Sequence, residues 1–397
     1  MKIWKRTLAL LLCLVLTVSL CACGSAGGDV TASVSPDAGG SQDPDASVSP
    51  DAEGSRDPDA DSSIPVDLTQ DAVAFATGLS GGDVLLTVNG EDIPADLFLY
   101  LLYQNCDWFM YQYYYSYWSV PESLEPVAQA LLDDTVNMAA HYAILHQRAA
   151  ELGCLPTEAQ VQEALDRLLS QGQERYDSLK AAYGLSDKSM DYISTISCYY
   201  TNLLDALVPE ATEEMLNGYV YQVKHILLST VDHDTGAALD EDTVTAQRAL
   251  AEDILARLQA VEGEARSALF DELMNQYSED GRDENGELYA PDGYTAVPGD
   301  MVSEFEEASL ALPIGGLSGI VESSYGYHII LRGEVDDFED YIEGCREYQL
   351  DSELDALTQS AQITRSAALD ALDVDSFYER YYAYQTAFAE KYGNAVS

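Results

Sequence analysis

The sequence predicts an α+β protein in which an all-α body is interrupted by a small antiparallel sheet with surrounding helices. Three observations predict it. Helical periodicity dominates residues 93–207. Between 219 and 334 short β-branched and aromatic runs alternate with amphipathic stretches. Helical periodicity then returns over 338–358 and 374–392.

The N-terminus reads as an export signal over residues 1–22. Lys2, Lys5 and Arg6 precede an apolar run, 8–20, that is shorter than the ~20 residues a spanning helix needs. It ends in Leu20-Cys21-Ala22-Cys23-Gly24-Ser25, which resembles the bacterial lipobox. Cys23 is the residue expected to carry the lipid, because bulky Leu20 stands where a signal peptidase acting at Cys21 needs a small side chain. The alternative is an ordinary signal peptide with an incidental cysteine.

Residues 23–82 are expected to form a spacer. Within them Ser33-Val34-Ser35-Pro36-Asp37-Ala38 recurs as Ser47-Val48-Ser49-Pro50-Asp51-Ala52, a repeat of Ser, Pro, Asp and Gly with almost nothing to bury. A flexible coil of ~40 residues reaches roughly 35 Å, enough to hold a domain off a membrane.

Residues 83–218 are expected to form a helical N-terminal domain. It opens with a strand at 84–88 and a turn at Asn89-Gly90, followed by helices over 93–118, 124–152, 157–170 and 186–207. Thr157 with Gln160 three positions later is a capping-box pattern. Residues 219–334 then read β-α-α-α-β-β: a strand at 221–228, helices at 243–262, 265–277 and 303–311, and strands at 319–322 and 327–332. Residues 335–397 return to helices expected to pack on the N-terminal domain. The stretches 108–118 and 377–388 are unusually aromatic. They suit either contacts to unfolded chains or packing of the two ends on each other.

Composition narrows the function classes. There are 69 Asp and Glu against 19 Lys and Arg, a formal charge of −50 that becomes −53 once three basic residues leave with the signal. So acidic a chain repels nucleic acid and anionic lipid headgroups. Asp232-His233-Asp234-Thr235-Gly236 lacks the ligand spacing of a calcium loop. Cys106, Cys154, Cys198 and Cys345 show no Cys-x-x-Cys spacing, which argues against a zinc site or redox pair; disulfides and buried free thiols both remain open.

The collinear fragments "VKHILLS", "FDELMNQYSEDG" and "GDMVSEFEEASLALPIGGLSGIVESSYGYHIIL" resemble the parvulin-type peptidyl-prolyl isomerases along 219–334. With the signal, the helices and the opening "VNGEDIPADLFLYLL", the chain resembles the PrsA/SurA-like extracytoplasmic foldase lipoproteins. The resemblance implies a peptidyl-prolyl cis-trans isomerase and foldase that assists exported proteins, lipid-anchored at the outer face of the cytoplasmic membrane. It implies unfolded or partly folded chains containing X-Pro bonds as partners, and no metal or cofactor. A holdase with a catalytically silent parvulin domain is the alternative. The sequence leaves the oligomeric state open.

Rotation about an X-Pro bond breaks no bond, so the catalyst needs an apolar seat for the ring and polar groups that favour the twisted amide. By resemblance, Met301 and Phe305 form the proline pocket, with Leu288 as a further wall. His225 and His328 pair on the sheet, Ser323 supplies a hydroxyl, and Asp280 places a carboxylate near the substrate carbonyl. The spacing of Met301 and Phe305 predicts one face at the start of a helix. Tyr325 stands where the family more often has a small residue. No Lys or Arg cluster follows His225, which disfavours phosphorylated substrates.

Overall fold

The structure, a computed structural model, describes residues 64–115, 124, 126–170, 172–232, 235–282 and 286–392. The expected signal, Cys23 and most of the spacer lie outside the described residues, as does 116–118 of the first aromatic stretch. Two compact units emerge. Among the described residues, one unit runs from 64 to 203 and from 353 to 392; the other is Leu204–Ser352. Among the described residues no helix is long and apolar enough to cross a membrane.

The first unit begins inside the stretch expected to be spacer. Helix α1, Ala72–Thr77, is capped by the Asp71 side chain on the Ala74 amide and closed by left-handed Gly78. Its VAFAT core is apolar, so it can be buried, unlike the repeats before it. Strands β1 (Val84–Val88) and β2 (Glu91–Pro94) form the hairpin. Both turn residues have positive φ, Asn89 at 50° and Gly90 at 89°, the conformation that Asn-Gly supplies at low cost. Helices α2 (Ala95–Tyr115), α3 (Ala128–Leu152), α4 (Glu158–Leu169), α5 (Gln173–Tyr183) and α6 (Asp187–Leu207) follow. The capping box forms: the Thr157 amide donates to Gln160 Oε1 at 2.9 Å, and Thr157 Oγ1 accepts from the Gln160 amide at 3.3 Å.

The C-terminal segment completes this unit. It contributes the end of α11 (Ile342–Ser360), β7 (Ile363–Arg365), α12 (Ala367–Asp370) and α13 (Val374–Tyr392). Strand β7 adds to β1, giving the order β2-β1-β7. The aromatic residues of α13 point mainly inward: Phe377, Tyr378, Tyr381, Tyr384 and Phe388 are buried. Tyr103 lies 4.9 Å from Tyr381 and 5.7 Å from Tyr378 between ring centroids, and Tyr381 Oη donates to the Tyr183 carbonyl at 2.7 Å. Packing of the ends on each other therefore absorbs most of these rings, while Tyr111, Tyr382 and Tyr392 stay exposed.

The second unit holds α7 (Glu213–Tyr219), β3 (Tyr221–Ser229), α8 (Glu241–Gln259), α9 (Glu264–Tyr277), β4 (Tyr294–Ala296), α10 (Ser303–Ala311), β5 (Leu317–Glu322) and β6 (Gly326–Gly333). The sheet order is β4-β3-β6-β5, every pair antiparallel. Strand β3 is central: Tyr221, Val223 and His225 are buried on one face, Gln222 and Lys224 are half-buried on the other, and Ile226 to Ser229 are buried throughout.

Register divides the unit into two cores. His225 pairs with Ile330, and Leu227 with His328, so both histidines share one face with Val223 and Ile330. On that face Tyr221, Val223, Phe305 and Ile330 cluster beneath α10. On the other, Ile226, Leu228, Tyr327 and Ile329 pack with Phe270 and Leu273 of α9. All four cysteines beyond residue 100 are free; Cys106, Cys198 and Cys345 are buried and Cys154 is half-buried.

Candidate active site

The site is built on the α10 face of the sheet. His225 Nδ1 lies 3.2 Å from His328 Nδ1, and His225 Nε2 lies 2.8 Å from Asp280 Oδ2. Tyr294 Oη donates to the same carboxylate oxygen at 2.7 Å. At the other end Ser323 Oγ is 2.7 Å from His328 Nε2, and Ser323 Oγ accepts from the Tyr325 amide at 3.1 Å. These contacts form one unbroken chain from Tyr294 to Tyr325. Phe305 packs edge-on against both imidazoles, at 5.0 Å from His225 and 5.3 Å from His328.

Donor and acceptor counting limits where the protons sit. An ionised carboxylate only accepts, so His225 donates from Nε2 to Asp280 and accepts at Nδ1. His328 then donates from Nδ1 and accepts at Nε2, and Ser323 donates its hydroxyl to it. Both imidazoles are neutral in that arrangement; when His225 is protonated, His328 instead accepts at Nδ1 and donates from Nε2 to Ser323. Burial is the main reason the His328 pKa falls to about 4; the charge of His225 adds to the fall, and that of Asp280 opposes it. Burial pushes the Asp280 carboxyl upward. The His225 hydrogen bond and charge, with the Tyr294 hydroxyl, outweigh it and hold the carboxyl below its usual range. The Asp280 side chain keeps 28 % of its surface exposed.

His225, His328, Asp280, Ser323 and Phe305 are thus brought together. Met301 packs against the same cluster as Phe305, but α10 begins at Ser303, so the two do not share a helical face. Met301 lies in the turn before the helix. Leu288 is not a wall of this pocket. It pairs across an isolated bridge with Arg282 and packs against the Phe270 core on the opposite sheet face.

Sequence reasoning missed Tyr294, which lies between the expected helices at 265–277 and 303–311. Strand β4 places it opposite Val223, on the histidine face. Gly293 makes that approach possible: its φ is 85°, and a Cβ there would lie 2.2 Å from the Val223 carbonyl oxygen. A glycine directly before a short β-prone triplet was the available signal. Replacing Tyr294 by phenylalanine removes a charge-assisted hydrogen bond from Asp280. The Asp280 pKa is expected to rise in Tyr294→Phe, as followed by carboxyl-carbon NMR titration; an unchanged value would show that the hydroxyl does not act on the carboxylate.

Residues 211–335 match the family described as PPIC-type PPIase domain. That segment is a parvulin-type domain. Foldase protein PrsA of Halalkalibacterium halodurans is 32% identical over 197 residues, 47% of this chain and 53% of that protein. Chaperone SurA of Chromobacterium violaceum is 34% identical over 99 residues, 25% of this chain and 20% of that protein. The chain therefore spans about half the length of the first of these relatives and less of the second. Among solved structures, PrsA from Bacillus cereus is 22% identical and covers 77% of this chain and 99% of its own, with a TM-score of 0.33. In the parvulin-type domain of this chain the paired histidines, the carboxylate and the hydroxyl stand on a single sheet face, with Phe305 against the imidazoles.

Proposed function

We propose that the chain is a peptidyl-prolyl cis-trans isomerase and foldase acting on exported polypeptides. The observation that carries this reading is the continuous Tyr294-Asp280-His225-His328-Ser323 hydrogen-bond chain beside Phe305. In this reading the proline ring seats against Phe305 and Met301. The bond to be rotated is planar because charge flows from nitrogen to the carbonyl oxygen. A fixed carboxylate beside that oxygen opposes the accumulation of charge and so raises the planar forms relative to the twisted one. The histidines carry no proton to the substrate. They hold Asp280 at one end and Ser323 at the other, which keeps the polar groups preorganised.

Each 1.4 kcal/mol by which the twisted amide is favoured gives about tenfold in rate. Asp280→Ala and Met301→Ala are each expected to lower kcat/KM by roughly ten- to a hundredfold, measured by NMR exchange spectroscopy on a proline peptide with amide spectra confirming the fold. An intact chain with no rate enhancement, or one indifferent to both changes, would overturn the enzyme reading. If that chain still suppressed client aggregation, it would be a holdase with a silent domain.

The location proposed is the outer face of the cytoplasmic membrane, held by lipid on Cys23. The lipobox resemblance of Leu20 to Cys23 supports it. Cys23→Ser is expected to move the protein from the membrane fraction to the medium and abolish incorporation of labelled fatty acid. Retention of label in the variant would sink the assignment.

A further inference from the structure

Two exposed aromatic rings flank the polar chain, one at each end. Tyr325 is 51 % exposed. Its amide donates to Ser323 Oγ, and its carbonyl accepts from the Thr230 amide at 3.0 Å and from Ser229 Oγ at 3.2 Å. The backbone is thus fixed on both sides while the ring faces solvent. Tyr289 is 71 % exposed and lies over Gly281, the residue after Asp280: a Cβ on Gly281 would come within 2.9 Å of its ring.

The charge around them has one sign. Between residues 204 and 352 the sequence carries 34 Asp or Glu against seven Lys or Arg, a formal −27. Exposed carboxylates adjoin the site residues in the chain: Glu279 precedes Asp280, Glu304 precedes Phe305 and Glu322 precedes Ser323. The seven cations are held by intramolecular partners. Arg282, nearest in sequence to Asp280, donates to the carbonyls of Gly286, Asn275 and Ser278. Lys224 is paired with Asp271 at 2.7 Å.

We infer that this site selects X-Pro segments carrying arginine or lysine beside the proline, with Tyr325 and Tyr289 as the specificity-determining residues. A cation beside an aromatic face is attracted by the ring quadrupole, and the summed negative field concentrates cationic segments at the site. An acidic segment meets repulsion from the same field. The inference rests on the isomerase reading above and names the substrate class of that site.

The test uses the full chain and three otherwise identical peptides with Arg, Leu or Glu before the proline, assayed by NMR exchange spectroscopy at low salt and at 0.5 M salt. At low salt kcat/KM for Arg-Pro is expected to exceed that for Leu-Pro by roughly five- to tenfold, with Glu-Pro slowest. High salt should shrink the gap, because charges more than several ångströms apart are then screened. Tyr325→Ala and Tyr289→Ala should each reduce the Arg-to-Leu ratio by about two- to fivefold. Equal rates for Arg and Leu, a preference for Glu, or a gap insensitive to salt would overturn the inference. Absence of turnover with every peptide overturns the isomerase reading instead. Binding of the same peptides, followed by chemical-shift titration, then decides the preference by itself: tighter Arg binding supports it and equal binding refutes it.

Discussion

Replacing Arg332 by methionine is expected to destabilise the parvulin-type domain by about 3–5 kcal/mol, a large share of a typical domain's stability. Arg332 is 5 % exposed, on the histidine face of β6. Its Nη1 donates to the carbonyls of Ser309, Leu310 and Leu312 at 3.0, 3.0 and 3.3 Å, and Nη2 donates to the Asn217 carbonyl at 2.6 Å. The first three belong to the end of α10, whose last carbonyls have no partner within the helix. One planar cation therefore satisfies them, complements the negative end of the helix dipole and ties α10 to the sheet.

Methionine fills similar volume but takes the side-chain donor from all four carbonyls; among the described residues only Ser309 keeps a partner, the Leu312 amide at 3.4 Å. Arg332→Lys keeps the charge and loses the fork, so it should fall between the two. Amide hydrogen exchange over α10 and β6 measures this directly. Protection retained in Arg332→Met at the parent level would show that the carbonyls find other partners. Because α10 carries Phe305, a partial loss should also raise KM for proline peptides before it alters kcat.

The second large effect is a loss of stability on mild acidification, with His146 and His328 as its two sources. His146 sits between Tyr192 and Tyr199, each 4.1 Å away between ring centroids, and its buried Nε2 makes no hydrogen bond. Burial lowers its pKa to about 4, as it does for His328. Between about pH 6.5 and 4 the unfolded chain binds these protons and the folded chain does not, so stability falls as pH falls. Each histidine contributes up to about 3 kcal/mol over that window. The lowered Asp280 pKa has the same sign further down, its contribution being present above pH 3.8 and lost as the carboxylate is protonated.

His146→Phe removes one source without breaking a hydrogen bond at Nε2. The variant is expected to match the parent near pH 7.5 and to be more stable by about 2–3 kcal/mol at pH 4.5, by urea denaturation followed through Trp108. An unchanged difference between the two pH values would show that His146 titrates normally in the folded protein.

Much of the site was legible through the resemblance carried by the collinear fragments, which placed His225, His328, Asp280, Ser323 and Phe305. Once β3 and β6 are antiparallel neighbours, period two puts His225 and His328 on the face of Val223 and Ile330. Asp280 was reached through the same resemblance, just after the end of α9. Tyr294 and Leu288 were not reachable in this way. Both lie between α9 and α10, where no local period exists, and their faces are set by a bridge from Arg282 to Leu288 and by β4 docking on β3. Met301 was assigned to the right cluster on the wrong element, since helix starts are poorly marked when no side chain caps them, as at Val302.

The site residues came from the resemblance; by itself the sequence determined the α+β class, the strand β3, the hairpin at Asn89-Gly90 and the Thr157 capping box. These depend on periodicity and on conformational preferences within a few positions. Tertiary structure alone decided that β7 joins β1 across the chain, that the α13 aromatics are mostly buried, and that Tyr294 replaces Leu288 as a neighbour of the histidine face. Those outcomes depend on which distant surfaces compete to be buried, and that competition is settled only when the whole chain packs.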